Sequence, residues 1–118
     1  MSQTIGFLAE EQARTYLVSQ GLQWVESNFS SRTGEIDLIM QDKEHLVFVE
    51  VRKRASRVFG GAMASVTPHK QQKLLKTALY YLMVRQRQGQ DALRFDVLGL
   101  EGVPAELIWI KNAFGSDY

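Results

Sequence analysis

A chain of 118 residues with an apolar share of 45% and no cysteine can bury a core of its own; a disulfide framework, Cys-ligated zinc and global disorder are excluded. Its net charge of +1 conceals a division, because residues 1–50 carry eight acids against three bases while residues 51–90 carry nine bases and no acid. Such clustering points to an anionic partner. No apolar run reaches the roughly 18 residues a spanning helix needs, and Met1-Ser2-Gln3-Thr4 lacks the basic-then-apolar layout of a signal peptide. The expectation is one domain over 1–118, cytoplasmic and without a membrane partner.

Helical spacing of Ile5, Ala9, Ala13, Tyr16 and Leu17 predicts a helix from Thr4 to about Gln20, stopped by Gly21. Glu10 falls at the rim of that apolar face and Glu11 points nearly opposite. Leu22 to Glu26 reads as a first strand, and Asn28 to Gly34 as a loop. Two strands follow, Gly34 to Ile39 and Leu46 to Arg52, joined by the polar Gln41-Asp42-Lys43-Glu44-His45 as an antiparallel hairpin. Arg54 to Ser65, with Phe59-Gly60-Gly61, reads as a mobile basic loop. Thr67-Pro68 then signals a second helix. Its expected stripe is Leu74, Leu75, Ala78, Leu79, Leu82 and Met83, with Arg85 and Arg87 in the last turn and Gly89 as the stop. Leu93 to Leu98 and Leu107 to Ile110 complete the set as two more strands. The order is helix, three strands, helix, two strands: a sheet between two helices in an α/β domain.

Strand alternation puts Glu35 and Asp37 on one face with Ile36 and Leu38 on the other. On the next strand Glu50 and Arg52 share a face, and Val47, Val49 and Val51 line its back. Opposite charges on neighbouring strands are an ordinary way to stabilise a sheet, worth roughly 0.2–1 kcal/mol per pair. Two features go beyond that. The strand holding Glu50 is too apolar for an edge, so its carboxylate needs compensation. Asp37, Glu50 and Glu10 also outnumber the single nearby base, Arg52. A hard cation such as Mg²⁺ or Mn²⁺ would balance them. His45 and His69 are too isolated to form a ligand set, Trp24 and Trp109 read as core, and Arg94 with Asp96 reads as a pair within the sheet.

The stretches Ala9-Glu10-Glu11, Gly34-Glu35-Ile36-Asp37-Leu38-Ile39, Phe48-Val49-Glu50-Val51-Arg52, Arg94-Phe95-Asp96-Val97 and Asn112-Ala113-Phe114 resemble the YraN-like family of small bacterial proteins. That family is assigned to the restriction-endonuclease-like (Holliday junction resolvase-like) superfamily. The resemblance implies a three-layer α/β/α nuclease-like domain with a central mixed five-stranded sheet. It implies a metal site for Mg²⁺ or Mn²⁺ at Asp37, Glu50, Glu10 and the Val51 carbonyl, with catalysis by Asp37, Glu50, Arg52 and Glu10. Arg54, Arg57, Lys70 and Lys73 are the implied contacts to nucleic acid, with structured or branched DNA as substrate and a homodimer as one arrangement.

Three positions depart from the family pattern. Arg52 stands where the family has lysine, and a guanidinium stays charged at any working pH, so it cannot act as general base. It can still stabilise the charge of a transition state. Ala9 replaces a glycine, and Ser30 replaces a basic residue. The first departure keeps a second reading open, a nucleic-acid-binding protein on a nuclease fold that does not cleave.

Overall fold

The computed structural model describes residues 2–55 and 61–115, with side chains described from Leu8 onward in the first helix. Its elements are α1 (Ser2–Ser19), β1 (Gln23–Ser31), β2 (Gly34–Asp42), β3 (His45–Arg54), α2 (Gly61–Ala64), α3 (Pro68–Val84), β4 (Ala92–Glu101) and β5 (Glu106–Phe114). The strands form one five-stranded sheet in the order β1-β2-β3-β4-β5. Every neighbouring pair is antiparallel except β3 and β4, which run parallel from His45↔Ala92 to Arg54↔Glu101. A parallel pair needs a crossover, and α3 supplies it. The sheet is mixed and the order of the main elements is the expected one. None of the described helices is long and apolar enough to cross a membrane.

Each face of the sheet carries its own core. Ala13 and Leu17 of α1 pack with Leu22, Leu38, Met40, Val47, Val49 and Leu98. On the opposite face Leu74, Leu75, Ala78, Tyr81 and Leu82 of α3 pack with Phe29, Ile36, Ile39, Phe48, Phe95 and Val97. Apolar residues at both parities of β3 are what a strand covered on two sides requires. The result is three layers, helix on sheet on helix.

Thr67 caps α3 as its dipeptide with Pro68 predicts, and its hydroxyl accepts from the Lys70 N–H at 3.3 Å. The stripe is rotated from the expected one. Leu79 and Met83 face solvent, at 58% and 52% exposure, while Thr77 and Tyr81 are buried. Both buried residues have polar atoms, but their environment accommodates them. Thr77 Oγ1 is hydrogen-bonded to the Lys73 carbonyl at 2.8 Å and to Thr33 Oγ1 at 2.7 Å, and the Tyr81 ring meets Phe29 and Phe48 edge-on. The helix also ends earlier, at Val84 with Arg85 as its cap, so Arg85 and Arg87 lie past the last turn.

Two connections differ from expectation. The segment after Asn28 is strand rather than loop, since β1 runs on to Ser31 and pairs with β2 as far as Ser31↔Gly34. Within the basic loop, Gly61–Ala64 is a helical turn packed against β4 so closely that a Cβ at Gly99 would lie 2.6 Å from that of Ala62. The Glu101 carboxylate accepts the Ala62 N–H at 2.8 Å.

Candidate metal and phosphate site

The site forms where regular pairing stops. β2 and β3 leave the two-residue turn at Lys43-Glu44 and pair from Asp42↔His45 to Leu38↔Val49. Beyond that point both strands continue, but the ladder does not. In its place the Asp37 carboxylate accepts the Val51 N–H at 2.8 Å. Two strands that part at their ends leave a wedge, and Asp37 stands in it.

A second irregularity aims the side chains. The β1–β2 register passes from Ser27↔Leu38 to Phe29↔Ile36, and the step between them, Asn28 opposite Asp37, is not a regular pair. Asn28 has a φ of 56°, a left-handed conformation that asparagine tolerates better than most residues. Such a kink breaks alternation. Ile36 consequently joins the α3-side core and Leu38 the α1-side core, where simple alternation puts the two on one face. Asp37 is freed to meet α1 instead of being locked opposite its neighbours.

There it meets two other acids. Carboxylate oxygens of Glu10, Glu35 and Asp37 all lie within 4.8 Å of one another. Glu10 comes from α1, one turn before the buried Ala13 and about two before the buried Leu17, and the Asn28 side chain hydrogen-bonds to it. Glu50 reaches Asp37 from β3. It is 7% exposed and shares a hydrogen bond with the Asp37 carboxyl. Asp37 is therefore the hub, and Glu35, which sequence reasoning left without a role, belongs to the tight triplet while Glu50 flanks it. The missed signal is Asn28: a left-handed residue opposite Asp37 is what turns Glu35 and Asp37 toward Glu10.

The electrostatics follow from crowding. Burial pushes the Glu10 carboxyl up to about 7, helped by the negative charge of Asp37 and opposed by the hydrogen bond from Asn28. Burial also pushes Glu50 up to about 8, again with the Asp37 charge and their shared hydrogen bond, against the pull of Arg52 and Lys70. Like charges held close disfavour ionisation. Protons thus do part of the work that a cation would do better.

Lysines gather on the α3 side, next to Arg52. Arg52 donates to Glu50 at 3.2 Å and to the Ser65 hydroxyl at 2.8 Å, so its guanidinium is held at the edge of the wedge. Lys70 and Lys73 of α3 line a cavity of about 90 Å³ with Gly34, Glu35, Glu50 and Thr77. The Thr33–Thr77 hydrogen bond docks the β1–β2 turn on α3 and so fixes that wall. Arg54 is different: it sits at the end of β3 and donates to the Lys53 carbonyl, with no contact to the carboxylates among the described residues. Arg57 lies outside the described residues. At Val51 the observed contact is made by the amide, whereas the resemblance points to the carbonyl.

On the α1 side, Glu10, Glu11, Arg14, Trp24, Ser27, Asn28 and Leu38 line a second cavity of about 130 Å³. Trp24 is not a core residue; it is 44% exposed. Trp109 does pack against the α1-side core and donates to Asp96 at 2.9 Å.

The donor set fits a hard divalent cation. Four carboxylates from three elements converge, three of them within reach of one ion, and Arg52 and Lys70 oppose the charge of Glu50. Glu10, Glu35 and Asp37 would hold it, with Glu50 beside them.

The model of the uncharacterised protein family UPF0102 matches residues 9–100. A UPF0102 protein of Legionella pneumophila is 44% identical over 114 residues, covering 97% of both chains. One of Coxiella burnetii is 45% identical over 118 residues, covering 100% of this chain and 98% of its own. A third, of Alcanivorax borkumensis, is 46% identical over 112 residues, covering 92% and 90%. With the family model spanning β1 to β3, α3, nearly all of β4 and the acidic wedge, and with relatives matched along nearly their whole length, this chain belongs to the UPF0102 family, the YraN-like proteins.

Proposed function

We propose that the protein is a metal-dependent endonuclease, or a close relative of one, that acts on DNA by phosphodiester hydrolysis. The observation that carries this reading is the meeting of Glu10, Glu35 and Asp37 within 4.8 Å, with Glu50 bonded to Asp37 and a lysine-lined cavity alongside. Mg²⁺ or Mn²⁺ bound there would polarise a phosphate and lower the pKa of an attacking water.

The protein's own groups divide the remaining tasks. Glu10, Glu35 and Asp37 supply hard oxygen donors. The Val51 N–H and the Asn28 side chain orient two of those carboxylates. Lys70 and Lys73 offer positive charge where a phosphate backbone would run, at the N-terminal half of α3, whose dipole favours an anion. Arg52, pinned by Glu50 and Ser65, stabilises charge on the phosphoryl oxygens and keeps its proton.

Cleavage of branched and linear DNA in Mn²⁺ tests the proposal. Wild type is expected to cut, and Asp37→Ala and Glu50→Ala to fall to background. Equal cutting by both variants overturns the assignment.

One observation favours a second reading, a DNA-binding protein that does not cleave. Among the described residues, the base bonded to these carboxylates is an arginine, Arg52, which cannot accept a proton from water. Salt-dependent DNA binding without cleavage in Mg²⁺ or Mn²⁺ is its expected result.

A further inference from the structure

The two sides of the acidic wedge are chemically unlike. Toward α3 the lining sets Lys70 and Lys73 beside Glu35 and Glu50, so that each carboxylate has an ammonium to balance it and a metal-bound phosphate can be held. Toward α1 it is Glu10, Glu11, Arg14, Trp24, Ser27, Asn28 and a Leu38 floor, in a cavity of about 130 Å³. Here two carboxylates face a single base, Arg14, already stacked on Trp24, whereas two lysines balance the two carboxylates on the α3 side, so a phosphate backbone is better placed toward α3. An aromatic plane, a guanidinium plane and hydrogen-bond acceptors are instead what a nucleobase meets when it leaves its stack.

Trp24 is built for such a contact. The register shift between Trp24 and Glu26 is a bulge in β1, and it separates the directions of successive side chains. Val25 packs into the α3-side core and Glu26 pairs with Arg85 of the α3 terminus. Trp24 is left on the α1 side of this edge strand, 44% exposed. Its position is nonetheless fixed. The indole N–H donates to the Ser27 hydroxyl at 2.8 Å, and the Arg14 guanidinium lies 3.9 Å from the ring centroid. A large aromatic held rigid at the surface loses little entropy when a ligand stacks on it.

We infer that the Trp24–Arg14 pair is a stacking platform for an unpaired nucleobase adjacent to the phosphate held at the acidic wedge. The inference rests on the proposed function and narrows its substrate to DNA with a base free to swing out: single strands, flaps and branch points. Glu10 joins the two places, since it lines the platform cavity and belongs to the carboxylate triplet. The strand would pass with its base toward α1 and its phosphate toward α3. Bases inside an intact duplex cannot reach the platform without being unstacked. The carboxylates of Glu10 and Glu11 would accept from exocyclic amino groups, as adenine, cytosine and guanine offer.

The test is equilibrium binding of a labelled single-stranded oligonucleotide and of the matching blunt duplex, with Ca²⁺ present to neutralise the carboxylates. Wild type is expected to prefer the single strand. Trp24→Ala should weaken single-strand binding about tenfold, within the range of base–aromatic stacking, and leave duplex binding within about twofold. Trp24→Phe keeps a ring and should retain most of the affinity. Arg14→Lys keeps the charge but not the plane, and is expected to fall between them. If Trp24→Ala and Arg14→Lys bind both ligands like wild type, or lose both equally, the platform is wrong while the nuclease reading stands. If wild type binds neither ligand with salt-dependent affinity, both fail.

Discussion

Two clusters of charge sit on this sheet, built from the same residue types and resolved in opposite ways. Asp96 of β4 is fully buried. Arg94 grips both its oxygens at 3.0 Å, Trp109 donates at 2.9 Å, and the Asn112 N–H donates at 2.9 Å. Arg94 reaches on to Asp42 at 2.8 Å, and its charge holds that carboxyl below the usual range. Every strong acceptor has its donor, and nothing remains for a ligand to satisfy. Asp37 has one backbone donor and three acidic neighbours. The first cluster is a closed knot that fastens β5 to β4. The second is open, held short of neutrality, and its deficit is of the kind a divalent cation removes. Buried acid alone says little about function; the tally of donors against acceptors separates structure from chemistry.

Breaking the closed knot should have the largest effect. Asp96→Ala leaves Arg94 and the Trp109 and Asn112 N–H groups with no carboxylate in the interior, and removing one partner of a buried ion pair costs about 3–5 kcal/mol. Urea unfolding of the variant is expected to show a loss of that order. Asp37→Asn in the open cluster, which keeps an acceptor for the Val51 N–H, should leave the metal-free protein as stable as wild type or more so, because it removes a repelling charge. Should Asp37→Asn destabilise as much as Asp96→Ala, the two clusters are alike and the contrast drawn above is false.

Metal affinity turns the comparison round. By titration calorimetry, Asp37→Asn is expected to weaken Mn²⁺ binding by at least about tenfold, as loss of a charged ligand would. Asp96→Asn, a gentler change in the closed knot, should leave Mn²⁺ binding unchanged. Glu35→Gln is the sharper probe, because the triplet geometry and the family resemblance disagree on it. A loss comparable to that of Glu10→Gln would put Glu35 among the ligands. An unchanged affinity would return it to the role of a surface acid bonded to Ser30.

How much of this was legible beforehand varies with the range of the interaction that decides it. The hairpin, the capped start of α3 and the placing of Asp37 and Glu50 on neighbouring strands follow from local rules: alternation, a polar connection between two strands, Thr-Pro at a helix start; that the turn itself is only Lys43-Glu44 does not. Polar atoms hid the buried side of α3, since the expected stripe leaves out Thr77 and Tyr81, whose partners Thr33 and Phe29 lie far along the chain. The place of Glu35 was hidden differently. It depends on Asn28 adopting a left-handed φ across the strand from Asp37, and a single asparagine in a polar stretch reads as a turn. The exposure of Trp24 depends in the same way on a bulge that only the β1–β2 register reveals.

Acid titration offers a comparison that needs no substitution. Glu10 and Glu50 have folded-state pKa values raised from 4.5 to about 7 and about 8. Between the unfolded and folded values the native state therefore binds more protons than the unfolded chain, and stability must fall as pH rises across that interval. The sign is opposite to that of a carboxylate stabilised by a base, such as Asp42 beside Arg94 or Glu26 beside Arg85, whose contribution is lost as pH falls. In EDTA, the urea midpoint is expected to decline from about pH 5 to about pH 8, and the decline should flatten in Asp37→Asn. Added Mn²⁺ should restore stability at the alkaline end, where the carboxylates are ionised and can bind it. A midpoint that climbs with pH in EDTA would mean that these acids are already paid for by bases.

The smallest expected effect is the most informative about chemistry. Arg52→Lys keeps a positive charge beside Glu50 but replaces a fork, bonded at once to Glu50 and Ser65, with a single ammonium. The fold should survive the change, because the positive charge beside the buried Glu50 carboxylate is kept. Cleavage is the decisive readout. A lysine whose pKa is depressed can give up its proton, which a guanidinium cannot. A several-fold gain in Mg²⁺-dependent rate with the pH profile shifted toward alkaline values would identify proton transfer as what this chain lacks. A loss of rate would show instead that the arginine fork contributes through charge and geometry, and that its replacement of lysine is an adaptation rather than a defect.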